Sequence, residues 1–254
     1  MIVAVDIGNT NIVVAALDSS GVWTKPFRVF TDTKKTGDEY YVIFLSLFHE
    51  LGIEKKDVEK VIISSVVPFL TRSIEKIMHR LFDLNPIMVT HEIKTGLVYD
   101  SIPQELGSDL LSNLSYAHYH KKESSVMVID FGTALTFSSV NCRGEVLGVA
   151  IAPGLVTAVN ALFGNTAQLP QVELKLPKTV LGRDSMTSIR AGIMEGYAGM
   201  VEKMIDKTEK EIGEKLYVMA TGGLSATISK IIPRIDELDS LVTLRGLGLI
   251  ASLN

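Results

Sequence analysis

Two short segments of this chain carry the residue types that handle phosphate. Asp6-Ile7-Gly8-Asn9-Thr10 follows the apolar run Ile2 to Val5, and Asp130-Phe131-Gly132-Thr133 follows Val126 to Ile129. Each aspartate stands at the carboxyl end of a strand-like run, the edge at which open α/β sheets bind ligands. The glycine two residues on lets the backbone turn sharply and approach a ligand. Asn9, Thr10 and Thr133 then offer amide and hydroxyl groups to phosphate oxygens. A carboxylate beside phosphates repels them unless a cation intervenes, and Mg²⁺ held through one or two carboxylates and water is the natural mediator. A single Asp-x-Gly turn is common and can serve conformation alone. Two copies in matching contexts argue for a cleft between two halves that holds a nucleotide polyphosphate.

The elements around these turns repeat. The first half reads as strands Ile2 to Val5, Asn11 to Leu17 and Val22 to Phe30, a helix from Asp38 to Leu51, a strand Val61 to Ser64, a helix Phe69 to Phe82, a strand Ile87 to Val89 and a helix from Ser108. The order is β-β-β-α-β-α-β-α. After a polar break at Lys121 to Ser125 it begins again. Strands are expected at Val126 to Ile129, Leu135 to Val140, Glu145 to Ile151, Leu216 to Ala220 and Leu241 to Leu244. Helices are expected from Leu155, over Ser185 to Ile212, over Ser225 to Ile232 and over Gly246 to Leu253. A pattern seen twice predicts a duplicated domain, residues 1–120 and 121–254, each an α/β mixed sheet with helices on its faces.

A third cluster supplies a possible base. Asp109 stands in the first turn of the helix beginning near Ser108, just after Gly107, and Ser108 can cap that helix. A helix N-terminus would depress its pKa, leaving it to orient a hydroxyl and accept its proton late. An aspartate here also simply complements the helix dipole. Thr221-Gly222-Gly223 allows either close approach of an adenosine or a tight strand-to-helix connection. Gly192, Gly196 and Gly199 suggest close packing of the long helix, and Gly246 and Gly248 likewise. There is no Gly-x-x-x-x-Gly-Lys-Ser/Thr loop, and the histidines show no metal-binding spacing.

Composition sets the outer bounds. The chain has 254 residues and a net charge of -4, with no basic stripe, which speaks against nucleic acid as a partner. No apolar run is long enough to span a bilayer and the N-terminus is not a signal peptide, so a cytoplasmic protein is expected. The lone Cys142 excludes an internal disulfide and reads as a small, half-buried strand residue.

These segments resemble the type III pantothenate kinase family of the acetate and sugar kinase/Hsc70/actin superfamily. The resemblance rests on Asp6 to Thr10, Tyr99-Asp100 with Pro103 and Leu106-Gly107-Ser108-Asp109, and Asp130 to Thr136. It continues through Gly148 to Gly154, Gly182-Arg183-Asp184-Ser185 and Thr221 to Gly223. It implies two ribonuclease-H-like domains (the actin-like ATPase fold), a homodimer, and ATP-dependent phosphorylation of pantothenate, the first step of coenzyme A synthesis. It further implies ATP-phosphate contacts from Asp6, Ile7, Gly8, Asn9, Thr10, Asn11, Ile12 and Val13, with Asp6 meeting Mg²⁺. Asp109 is implied as proton acceptor. Tyr99, Gly107, Ser108, Asp109, Leu110 and Ser185 are implied as pantothenate contacts. Asp130 is implied as ligand of a monovalent cation, K⁺ or NH₄⁺, and Thr133 as an ATP contact.

The sequence departs from the family pattern in places. Leu110 replaces the usual Arg, removing a bidentate anion ligand, so recognition of the pantothenate carboxylate, if that Arg serves it, passes to backbone amides. Ser101 replaces Asn, Ser185 replaces Thr while keeping the hydroxyl, and Gly148-Val149 replaces Gly-Gly. A phosphohydrolase and a non-catalytic nucleotide-binding regulatory or accessory protein are the competing expectations on this fold.

Overall fold

The computed structural model describes residues 1–98, 102, 105–164 and 172–254. The chain divides into two compact units, Met1–Tyr116 with Val242–Asn254, and Ala117–Leu241.

The first unit is built on β1 (Ile2–Ile7), β2 (Asn11–Leu17), β3 (Phe27–Phe30), β4 (Lys60–Ser65) and β5 (Ile87–Met88), in the sheet order β3-β2-β1-β4-β5. β1 to β3 form an antiparallel meander, and β4 and β5 run parallel to β1. β1 is central, which is why its sequence is an apolar run and not an alternation. Val3, Val5 and Ile7 face α1 (Gly37–Glu50) and α2 (Pro68–Phe82) in one fully buried cluster. Tyr40, Phe44 and Phe48 supply the face of α1, with Phe48 edge-on to Phe82 of α2 at 4.8 Å. A Thr36–Glu39 capping box starts α1.

α3 (Ser108–His120) follows, and α7 (Val242–Leu253) returns to pack on β1 and β4. Its glycines explain how. A Cβ at Gly246 would overlap the Ser112 carbonyl of α3, and one at Gly248 would lie 2.9 Å from the Trp23 ring. Lys60 Nζ donates to Ala251 O at 2.8 Å, and Thr243 Oγ1 to Asn113 Oδ1 at 2.8 Å. The last helix therefore belongs with the first unit, whereas the sequence suggested a break at 120/121 with everything after it in the second. The strand expected at Leu241 to Leu244 is also absent; Val242 to Leu244 form the first turn of α7, with Val242 and Leu244 buried.

The second unit repeats the sheet with β6 (Ser125–Phe131), β7 (Ala134–Val140), β8 (Val146–Pro153), β9 (Leu216–Thr221) and β10 (Glu237–Leu238), in the order β10-β9-β6-β7-β8. β6 takes the central place of β1, so Asp130 is the positional equivalent of Asp6. α4 (Leu155–Gly164) and α5 (Ser185–Ile212) follow β8, and α6 (Ser225–Ile228) follows β9. Met127, Ile129 and Phe131 pack with Met194, Val201 and Ile205 of α5. α5 starts from an Asp184–Thr187 capping box and ends at Gly213, whose φ of 76° closes it.

Gly192, Gly196 and Gly199 differ from expectation, since a Cβ at any of them would meet only open space. Cys142 also differs: it is exposed, in the turn between β7 and β8, not half-buried in a strand.

Candidate active site

The first phosphate turn is the β1–β2 connection. Asp6 pairs with Val13 and Ile7 with Ile12, and Gly8 N–H donates to Asn11 O at 3.0 Å, which closes a tight hairpin. A Cβ at Gly8 would stand 3.1 Å from that same oxygen. Ile7 and Ile12 are fully buried, so only their backbones are available to a ligand. Asn9 and Thr10 are exposed at the tip, and Asp6 is half-buried behind them. A residue absent from the sequence expectations holds the turn in place. Thr31, just past β3, donates its hydroxyl to Gly8 O at 2.6 Å and its N–H to Thr10 O at 2.9 Å. No spacing rule links Thr31 to Gly8; the β2–β3 pairing brings them together.

The third cluster lies in the same unit. β4 runs parallel beside β1 with Asp6 opposite Ser64 and Ile7 opposite Ser65. The first turn of α3 is bonded to this strand end: Ser65 N–H donates to Ser108 Oγ at 2.8 Å, and Ser108 Oγ donates to Ser65 O at 3.1 Å. The Ser108 hydroxyl is thus committed to β4 and does not serve as the simple helix cap that the sequence suggested. Asp109 is half-buried, and its Oδ1 accepts the Leu110 N–H at 2.8 Å. Burial raises its pKa above the ordinary carboxylate value, and the backbone N–H groups of Leu110 and Asp109 offset only part of that. The sequence reading expected the helix N-terminus to lower it; loss of water around the carboxylate outweighs the N–H groups of that terminus. Leu110 turns its side chain into the protein and is 7% exposed. Tyr99, together with Asp100, Ser101 and Pro103, lies outside the described residues.

In the second unit three turns meet at the end of β6. Asp130 is the register partner of Thr136 on β7 and Thr221 on β9. Gly222, at φ +95°, lies so close that a Cβ there would fall 2.6 Å from Phe131 C and onto the Asp130 carboxylate. Gly154 N–H donates to Thr133 O at 3.0 Å, Thr157 Oγ1 donates to it at 2.7 Å, and a Cβ on Gly154 would stand 2.5 Å from that oxygen. The Asp130 turn, Pro153-Gly154 and Thr221-Gly222 are therefore one assembly. This close approach is what the Thr-Gly-Gly segment needs its first glycine for. Ser185 is exposed in the first turn of α5, after Gly182 folds over the backbone of Thr187 and Ser188. His118 is half-buried with its pKa lowered by burial, and His120 bonds Glu237 at 3.1 Å. Among the described residues no group of three or more His, Cys, Asp or Glu side chains could hold a metal ion. No helix there is long and apolar enough to cross a membrane.

The arrangement is similar to known proteins along its whole length. The solved structure of a provisionally named 2-dehydro-3-deoxygalactonokinase from Sinorhizobium meliloti superposes with a TM-score of 0.64 at 11% identity, covering 99% of this chain and 96% of that one. At that identity the likeness shows the fold alone, the actin-like arrangement of duplicated ribonuclease-H-like sheets. A type III pantothenate kinase from Geotalea daltonii is 40% identical over 256 residues, covering 100% of this chain and 99% of the relative. One from Myxococcus xanthus is 38% identical over the same length, with coverage of 100% and 99%. The family model for type III pantothenate kinase matches residues 2–207. The chain belongs to the type III pantothenate kinase family.

Proposed function

We propose that this chain transfers the γ-phosphoryl group of ATP to the hydroxyl of pantothenate, giving 4'-phosphopantothenate in the first step of coenzyme A biosynthesis. The observation that carries the chemistry is the pairing, on adjacent strands of one sheet, of the Asp6 hairpin with the Asp109 turn. The hairpin offers backbone N–H groups and the hydroxyl of Thr10 to phosphate oxygens. Asp109, its pKa raised by burial, accepts the proton of the attacking hydroxyl as the phosphoryl group leaves ADP. Pantothenate lies against Gly107 to Leu110, with Tyr99 and Ser185 as further contacts. With Ser108 Oγ bonded to β4 and the Leu110 side chain buried, contacts at those two positions come from the backbone.

Kinases of this family use ATP with a divalent metal. A single carboxylate at the end of β1 suits Mg²⁺ that arrives with the nucleotide and keeps most of its waters, and we assign Asp6 to it. Asp130 is assigned to a monovalent cation, K⁺ or NH₄⁺, and Thr133 to ATP. A carboxylate with neighbouring carbonyl oxygen suits a weakly bound, oxygen-liganded ion: a Cβ on Gly132 would stand 3.4 Å from both Asp130 Oδ1 and Ala134 O. The enzyme works in the cytoplasm as a homodimer. The open face of α5 at Gly192, Gly196 and Gly199 supports the dimer, as does Ile151, 68% exposed on edge strand β8.

The test is ADP release with ATP, Mg²⁺ and K⁺, with and without pantothenate. Strict dependence on pantothenate supports the kinase. Equal release without it indicates a phosphohydrolase, and no release under any cation condition indicates a non-catalytic nucleotide-binding protein.

A further inference from the structure

Ser64 ends the buried part of β4 on the face of the sheet that carries Asp6. The two residues are register partners in parallel strands, so their side chains leave the sheet on the same side. Ser64 is fully buried, and its Oγ lies 3.0 Å from Ser108 Oγ. Either hydroxyl can donate in that contact. Ser108 Oγ also accepts the Ser65 N–H at 2.8 Å and lies 3.1 Å from Ser65 O. When Ser64 donates, the Ser108 proton goes to Ser65 O and every position on the Ser108 oxygen is filled. One turn further along, Ser112 Oγ donates to Ser108 O at 2.8 Å. Ser65 is itself tied to α2 through Thr71 at 2.7 Å.

The consequence concerns Asp109, the next residue along the chain. A helix capped only by its own side chains could slide along the sheet. Here the first turn of α3 hangs from the strand beside β1, and the Ser64–Ser108 contact among these bonds is fully buried. We propose that Ser64 is a positioning residue for phosphoryl transfer: its buried hydroxyl locks the turn that bears Asp109 to the strand beside Asp6. The inference rests on the reading of Asp109 as proton acceptor. Displacing a catalytic group by about 1 Å can cost on the order of 100-fold in rate, so a link of this kind acts on turnover; the same turn carries the proposed pantothenate contacts, so KM for pantothenate moves with it while KM for ATP does not. The same place in the second sheet, beside Asp130, is held by another buried hydroxyl residue, Thr221.

The test compares Ser64→Ala, Ser64→Thr and Asp109→Asn in the full chain, by steady-state kinetics in both substrates and by thermal melting. Ser64→Ala is expected to lower kcat about tenfold or more while KM for ATP stays within about threefold, and Ser64→Thr, which keeps the hydroxyl, to recover most of the loss. Ser108→Ala removes the same link from the helix side. It should reproduce the kcat effect, and the double variant should lose little more, which also answers the case in which Ser64→Ala does not fold. Wild-type kcat in Ser64→Ala with an inactive Asp109→Asn overturns the Ser64 proposal and leaves the base assignment standing. Normal turnover in Asp109→Asn removes the base assignment, and the positioning role with it. A Ser64→Thr as impaired as Ser64→Ala, or a loss carried by KM with kcat unchanged, also overturns the proposal.

Discussion

A Cβ placed on Gly107 would stand 2.6 Å from Oδ1 of Asp109 and 3.5 Å from Val66 Cγ1. The carboxylate therefore occupies the space that a side chain at position 107 would take. This gives the glycine of the Gly-x-Asp sequence a physical reason. Gly107→Ala must push the carboxylate out of its rotamer while leaving the helix behind it intact. We expect kcat to fall about 100-fold with melting temperature changed by no more than a few degrees. Steady-state kinetics and a thermal melt check it; unchanged kcat would mean that this rotamer is not the one used.

Asp109 gives two opposite pH signatures. Its folded pKa lies above the ordinary aspartate value because of burial. Activity needs the ionised form, so the acid limb of the kcat profile should fall at a pH above that of a solvent-exposed aspartate. Stability runs the other way. A carboxyl with a raised folded pKa binds its proton more tightly when folded, so its ionisation destabilises the native state as pH rises through that pKa. Asp109→Asn should therefore be inactive yet melt slightly higher at neutral pH. Its Oδ1 can still accept the Leu110 N–H. The melting advantage should shrink as the pH is lowered through the folded pKa, which melts of both proteins across the acid range would show.

Thr31 is 8% exposed and holds the phosphate hairpin through Gly8 O. Thr31→Val keeps the shape and removes the hydroxyl. The lost bond should cost roughly 1 kcal/mol of stability and raise KM for ATP several-fold, with less effect on KM for pantothenate. A proportional rise in both KM values would contradict the assignment of that hairpin to ATP.

Gly222 combines a φ of +95° with contact to the Phe131 backbone. Gly222→Ala adds strain of about 1–3 kcal/mol before the steric overlap is counted. The denaturation midpoint should drop accordingly. Because the overlap falls on Asp130, activation by K⁺ should weaken in the folded fraction. Wild-type K⁺ dependence in that variant would separate Asp130 from the cation.

The two Asp-x-Gly turns, their strands and the long helix Ser185 to Ile212 were legible in the sequence because local pattern dictates them: buried central strands are apolar runs, and turns need glycine. What was not legible came from pairings distant in sequence. Thr31 meets Gly8 only through β2 and β3, and Ser64 meets Ser108 across 44 residues. α7 joins the first unit through the small surface of Gly246, whose glycine suggested packing but not the partner. The pKa direction of Asp109 needed knowledge of how much water reaches the carboxylate, which a helix-terminus rule does not contain. Leu110 stood out as a departure; its burial shows why an apolar residue is accepted there.

The central claim is that phosphate leaves ATP only for pantothenate. Mass spectrometry of an incubation with ATP, Mg²⁺, K⁺ and pantothenate, with ADP quantified in the same samples, tests it directly. The account predicts one phosphopantothenate for each ADP with the unaltered chain and neither product with Asp109→Asn. ADP without phosphopantothenate, or undiminished phosphopantothenate from Asp109→Asn, would contradict it.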